Sequence, residues 1–130
     1  RIDRLALHRY SEEGTLMKYM IQVRFNGAQA VIHALPAEEQ AQITAEFQAV
    51  RTLPGVLDGN QLESASSAST VRVDDGQTIV SEGPAVADGA ELSGYYIYDA
   101  PDLDAAIAFA SRIPVARMGG TVEVRGMVER

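Results

Sequence analysis

Four groups of residues in this 130-residue chain have the chemistry to do work. Glu82 stands immediately before Gly83-Pro84, a carboxylate beside two chain breakers in a loop. Desolvation at the mouth of a cleft would raise its pKa and make it a general base; the plainer alternative is that it orders the loop by accepting backbone N–H bonds. Arg24, Glu123 and Arg125 fall in alternating segments and can project from neighbouring strands. Two guanidinium groups there would hold a small carboxylate bidentately, or else form a cross-strand or cross-dimer ion pair. Tyr95, Tyr96 and Tyr98 offer hydroxyl donors and stacking faces, and serve equally well in core or dimer packing. His33 could move a proton near neutrality. No Asp, Glu or second His accompanies it at metal or triad spacing, so it reads as a surface loop histidine, and His8 reads the same way.

Other chemistries lack their signatures. The chain has no cysteine, hence no thiol nucleophile, disulfide framework or thiolate metal site. Gly83, Gly89 and Gly94 lack the strand–turn–helix context of a phosphate loop, and the serines of 64–69 form no nucleophile elbow. Neither a metal nor a cofactor is expected.

The elements that must position these residues follow from periodicity. Residues 18–25 alternate, with Tyr19, Ile21, Val23 and Phe25 against Met20, Gln22 and Arg24, as a half-buried strand does. Residues 26–36 read as a loop, closed by Pro36 in the first turn of a helix. Over 37–52, Ile43, Phe47 and Val50 make one apolar stripe, and Pro54-Gly55 ends that helix. Residues 56–62 form a second strand, and 64–69 a flexible connector. Asp75-Gly76 between alternating β-branched residues is a strong hairpin signal, with arms at 70–74 and 77–81. Residues 91–98 make a further strand. Asp102 suits an N-cap, followed by a buried stripe of Leu103, Ala106, Ile107, Ala110 and Ile113, and Pro114 stops the helix. Residues 121–128 close the domain as a strand.

The order β-α-β-hairpin-β-α-β predicts an α+β fold: a ferredoxin-like split βαβ sandwich with an inserted β-hairpin and both helices on one face of the sheet. With Ile21, Val23, Val122 and Val124 turned to the helices, the open face carries Met20, Gln22, Arg24, Glu123 and Arg125, together with Tyr96 and Tyr98. Such a mixed face predicts a two-fold homodimer packed sheet against sheet, each subunit keeping a cleft.

Charge and composition narrow the partners. The formal charge is −7, with all of the acidic excess after residue 16 and the arginines scattered, so a nucleic-acid footprint is disfavoured. No run of ~20 apolar residues is present to span a bilayer, and residues 1–16 lack the apolar region of a signal peptide. Met17 reads as a natural start, making 1–16 a leader (an expression remnant, an upstream extension or a helical arm) ahead of a domain over 17–130. The cysteine-free composition fits a reducing cytoplasm.

The order and spacing of several segments resemble one family. They are Met17-Lys18-Tyr19-Met20, Leu35-Pro36 with Glu38-Glu39, Glu82-Gly83-Pro84 ahead of Leu92-Ser93-Gly94-Tyr95-Tyr96, Asp102-Leu103-Asp104-Ala105-Ala106, Arg112-Ile113-Pro114, and Val122-Glu123-Val124-Arg125. Together they resemble the YCII-related proteins of the DGPF branch, from Met17 to about Val128. The resemblance implies a dimeric ferredoxin-like α/β barrel in a bacterial cytoplasm. It implies little chemistry: most DGPF-branch proteins have no assigned activity, and their genes often neighbour sigma factors of the extracytoplasmic-function type. Some members of the wider family look like enzymes using a His-Asp pair, one of them a dehydrochlorinase of a muconate-type substrate.

This chain departs from that pattern. It has Ala37-Glu38-Glu39-Gln40 where the family His belongs and Arg112-Ile113-Pro114 where the partner Asp belongs. The signature itself reads Glu82-Gly83-Pro84-Ala85, and Ala87, Gly89 and Ala90 replace the charged residues that usually follow. The expectation is therefore a small-molecule-binding or accessory module for a small acidic or aromatic ligand. One alternative is a lyase or isomerase of a small unsaturated acid, with Glu82 as base, Arg24 or Arg125 on the carboxylate and a tyrosine as proton donor; another is a protein partner of a transcription factor.

Overall fold

The computed structural model describes residues 16–86 and 89–129. The leader before Leu16, with His8, and Ala87 in the loop lie outside the described residues. Among the described residues, six strands and three α-helices run in the order β1 (Met17–Arg24), α1 (Ala28–His33), α2 (Ala37–Arg51), β2 (Val56–Gln61), β3 (Ser69–Asp74), β4 (Gln77–Glu82), β5 (Leu92–Ala100), α3 (Leu103–Ser111) and β6 (Thr121–Gly126). Four strands form one sheet in the order β2-β5-β1-β6, every neighbouring pair antiparallel. The arrangement is α+β and compatible with a ferredoxin-like fold. β3 and β4 pair only with each other, as a separate two-stranded sheet. Asp75 and Gly76 turn it with φ of 51° and 79°, the two positive values that a primed turn requires. None of the described helices is long and apolar enough to cross a membrane.

Alternation along β1 builds the core. Tyr19, Ile21 and Val23 are buried, whereas Met20, Gln22 and Arg24 are half-buried on the face turned away from the helices. Directly opposed residues of an antiparallel pair share a face, so the partners of β1 settle the other strands. Ile21 opposes Tyr96 and Val124, Val23 opposes Gly94 and Val122, and Tyr19 opposes Tyr98. Val122 and Val124 thus join the core as expected. Tyr96 and Tyr98 do so as well, which corrects their expected place on the open face. That face takes Tyr95 and Ile97 instead, opposite Gln22 and Met20.

The helices close over this layer. α2 buries Ile43 and Val50, with Phe47 packed beside them. Asp102 caps α3, its carboxylate accepting the Ala105 N–H at 2.9 Å. The buried stripe of α3 differs at one position from expectation: Ile107 is 43 % exposed and Phe109 only 3 %. The aromatics of β5 decide this. Phe109 stacks on Tyr98 with ring centroids 4.0 Å apart and meets Tyr96 edge-on at 5.7 Å. Rotating α3 to bury Ile107 would forfeit both contacts, which contribute about 0.5–1.5 kcal/mol each beyond area burial. Pro114 opens a 3-10 turn, Pro114–Arg117, rather than abutting the helix, and Arg117 pairs with Glu46 of α2. α1 is the other departure. Six residues of the expected loop are helical, and none of them is buried.

Phe109→Ala removes the hub of this aromatic layer and should cost about 3–5 kcal/mol in urea unfolding. A cost below about 1 kcal/mol, the size expected of an exposed side chain, would place the layer's contacts elsewhere.

Candidate functional site

A cavity of about 470 Å³ lies on the helix side of the sheet. α1 contributes Ala28, Gln29, Ile32 and His33 as one wall, and α2 contributes Ile43, Thr44, Phe47, Gln48 and Arg51 as a second. The floor is sheet: Val23, then Gly59, Asn60 and Gln61 of β2, and Ser93 to Tyr96 of β5. Val115 closes one end.

Glycine makes the floor possible. Gly59 opposes Tyr96 across the β2–β5 pair, and the Tyr96 ring lies over it. A Cβ at Gly59 would stand 2.6 Å from a ring carbon of Tyr96, inside any tolerable contact. The ring is therefore held down on β2, leaving the space above it open. Tyr96 is 7 % exposed. Burial pushes its hydroxyl pKa up, and the nearby positive charge of Arg51 partly opposes that rise. The hydroxyl stays a proton-bearing donor at neutral pH.

The α1 wall is held by polar clamps, since it buries no side chain. At its N-terminal end, Glu91 accepts the Gly27 N–H on Oε1 at 3.1 Å and the Ala65 N–H on Oε2 at 2.7 Å. Asn26 Oδ1 accepts the Glu91 N–H at 2.8 Å, and the Phe25 N–H donates to the Glu91 carbonyl at 3.0 Å. At its C-terminal end, Gln40 Nε2 donates to the carbonyls of Leu35 (2.7 Å) and His33 (3.1 Å). The N–H groups of Ala65 and then Gly27 hold the Glu91 carboxyl below its ordinary value, since bonds to the charged form favour it.

The remaining sequence candidates are distributed over three places. Arg24, Glu123 and Arg125 do come together on the open face: the Glu123 carboxylate pairs with Arg125 and lies 3.9 Å from Arg24 Nε, while Arg24 also donates to Gln22 at 3.1 Å. Tyr96 and Tyr98 are on the opposite face, among the core and cavity residues. Glu82 is exposed at the end of β4, opposite Ser69 on the two-stranded sheet, and does not line the cavity. The adjacent Gly83 is pinned instead, its N–H donating to Ala68 O and its carbonyl accepting from Thr70 Oγ1, both at 2.7 Å. His33 ends α1 and is exposed at the cavity rim.

Several residues of these sites escape sequence reading. On the open face, Tyr95 OH donates to Asp58 Oδ2 and accepts from Asn60 Nδ2, both at 3.0 Å. Arg51, Gln48 and Thr44 sit on the exposed, polar side of α2, and only the placement of α1 beside them makes them line a cavity. Among the described residues, no group of three or more His, Asp or Glu side chains is arranged to hold a metal ion.

The family model described as YCII-related domain matches residues 17–129. None of the curated proteins matches the chain.

The Glu91 clamp carries a pH signature. A carboxyl whose pKa is lowered by folding contributes stability that is full above its ordinary value of 4.5 and is lost as pH falls through the folded value. Wild type should exceed Glu91→Gln by about 1 kcal/mol at pH 7, the gap closing as pH drops below 4.5. Chemical denaturation across that range checks this; a gap that stays constant down to pH 3 would contradict it.

Proposed function

The chain belongs to the YCII-related domain family, and we propose that it works there as a small-molecule-binding module whose ligand enters the cavity between the α1–α2 wall and the sheet. The observation carrying this reading is the cavity itself. At about 470 Å³ it falls within the range of small-ligand pockets. It combines apolar walls, Ile32, Ile43, Phe47 and Val115, with a few polar groups at Gln48, Arg51 and Tyr96.

The face turned away from the helices then serves as the contact between two copies of the chain. Met20, Ile97 and Tyr95 give it apolar area, and the Arg24–Glu123–Arg125 cluster supplies charges of both signs. A two-fold contact matches such a patch to itself. Ile97→Glu should convert a dimer in sedimentation equilibrium to a folded monomer; an unchanged mass would contradict this use of the face.

Ligand binding to the native state must raise its stability, by about 2.7 kcal/mol at one hundred times Kd. A panel of small aromatic and aliphatic acids, amides and alcohols should therefore include compounds that raise the melting temperature. That rise should vanish in Thr44→Trp, which fills the cavity from α2, and persist in Arg125→Gln on the open face. A melting temperature indifferent to the whole panel, or a response lost only in Arg125→Gln, would refute the assignment.

A further inference from the structure

The cavity is lined by eighteen residues, and not one is an aspartate or glutamate. In a chain with a formal charge of −7 this is a local reversal of sign. Its only permanent charge is Arg51, on the last turn of α2. Among the described residues, no carboxylate lies within 4.0 Å of that guanidinium.

The two acidic side chains close to the floor and wall are committed elsewhere. Glu91 accepts N–H bonds from Gly27 and Ala65. Asp58 accepts from Tyr95, Asn60 and its neighbour Gly59 on the far face of the sheet. His33 at the rim brings no negative charge. Tyr96, which lines the cavity within the field of Arg51, has no ionised form to offer near pH 7 and acts as a donor.

The geometry points to an anionic ligand with an apolar body: a small aryl or alkenyl monocarboxylate. Its carboxylate would be held by Arg51 and the Tyr96 hydroxyl, and its body would lie against Ile32, Ile43 and Phe47. This inference rests on the cavity being the binding site and adds what that site selects. A guanidinium suits the task because its planar donors match a carboxylate's two oxygens. An anion entering a pocket free of carboxylates meets no like charge, and partial removal from water strengthens its attraction to Arg51.

Calorimetric titration of the full chain with trans-cinnamate, cinnamamide and cinnamyl alcohol tests the assignment. Cinnamate should bind about tenfold more tightly than the two neutral probes, the difference between a charge-assisted and a neutral hydrogen bond. Arg51→Gln should abolish that preference, cinnamate falling to the affinity of the neutral probes. Arg51→Lys should retain part of it, because the charge survives and the planar fork does not. Equal affinity for cinnamate and its neutral analogues in the wild type would overturn the inference while leaving the cavity as a binding site. A preference that survives Arg51→Gln would also overturn it, as would silence from all three probes, while the pocket reading itself stands or falls on the wider melting-temperature panel.

Discussion

The antiparallel register between β1 and β5 is the constraint on which the rest of the structure depends. Pairing Ile21 with Tyr96 and Tyr19 with Tyr98 places two tyrosines on the helix side. A slip of one residue would send Tyr95 and Ile97 there instead, because side chains alternate with a period of two. Phe109 would lose both ring partners, and α3 would have no reason to present Phe109 rather than Ile107. On the other side of β5, its separate pairing with β2 lays Tyr96 over Gly59, where a Cβ would stand 2.6 Å from a ring carbon. Core packing and cavity floor thus meet at β5, through the face its two pairings give Tyr96.

The cavity's second wall is stabilised differently. α2 is anchored by Ile43 and Val50 in the core, whereas α1 buries nothing and hangs between Glu91 at one end and Gln40 at the other. A six-residue helix has little stability of its own. Segments held by a few polar contacts open at lower free energy than packed ones, so α1 is the wall through which access to the cavity is most easily gained. Glu91 also ties Gly27 to Ala65, just ahead of the β3–β4 hairpin, and so joins the wall to the root of that arm.

Much of this architecture was legible from the sequence because each element carries its own signal. β1 alternates cleanly, Asp75-Gly76 dictates a primed turn, and Asp102 satisfies the first turn of α3. The shared face of Arg24, Glu123 and Arg125 is legible too, since they alternate with valines that turn to the helices. The tyrosine register was not legible: Tyr95-Tyr96-Ile97-Tyr98 is apolar or amphipathic at every position, so alternation has nothing to distinguish. α1 escaped because it is too short to show a stripe and has no side-chain cap. The cavity escaped for a geometric reason, being assembled from α1, α2, β2 and β5 at separations that no local pattern encodes. Arg51 acquires a role only once α1 and Tyr96 are seen beside it.

The central claim is that the helix side of the sheet, and not its open face, receives a small ligand. Backbone amide shifts recorded while the protein is titrated with trans-cinnamate locate the binding directly. The account predicts that the largest changes fall on Ala28, Thr44, Gly59 and Gly94, around the cavity. Changes concentrated on Gln22, Glu123 and Arg125, across the sheet, would contradict it.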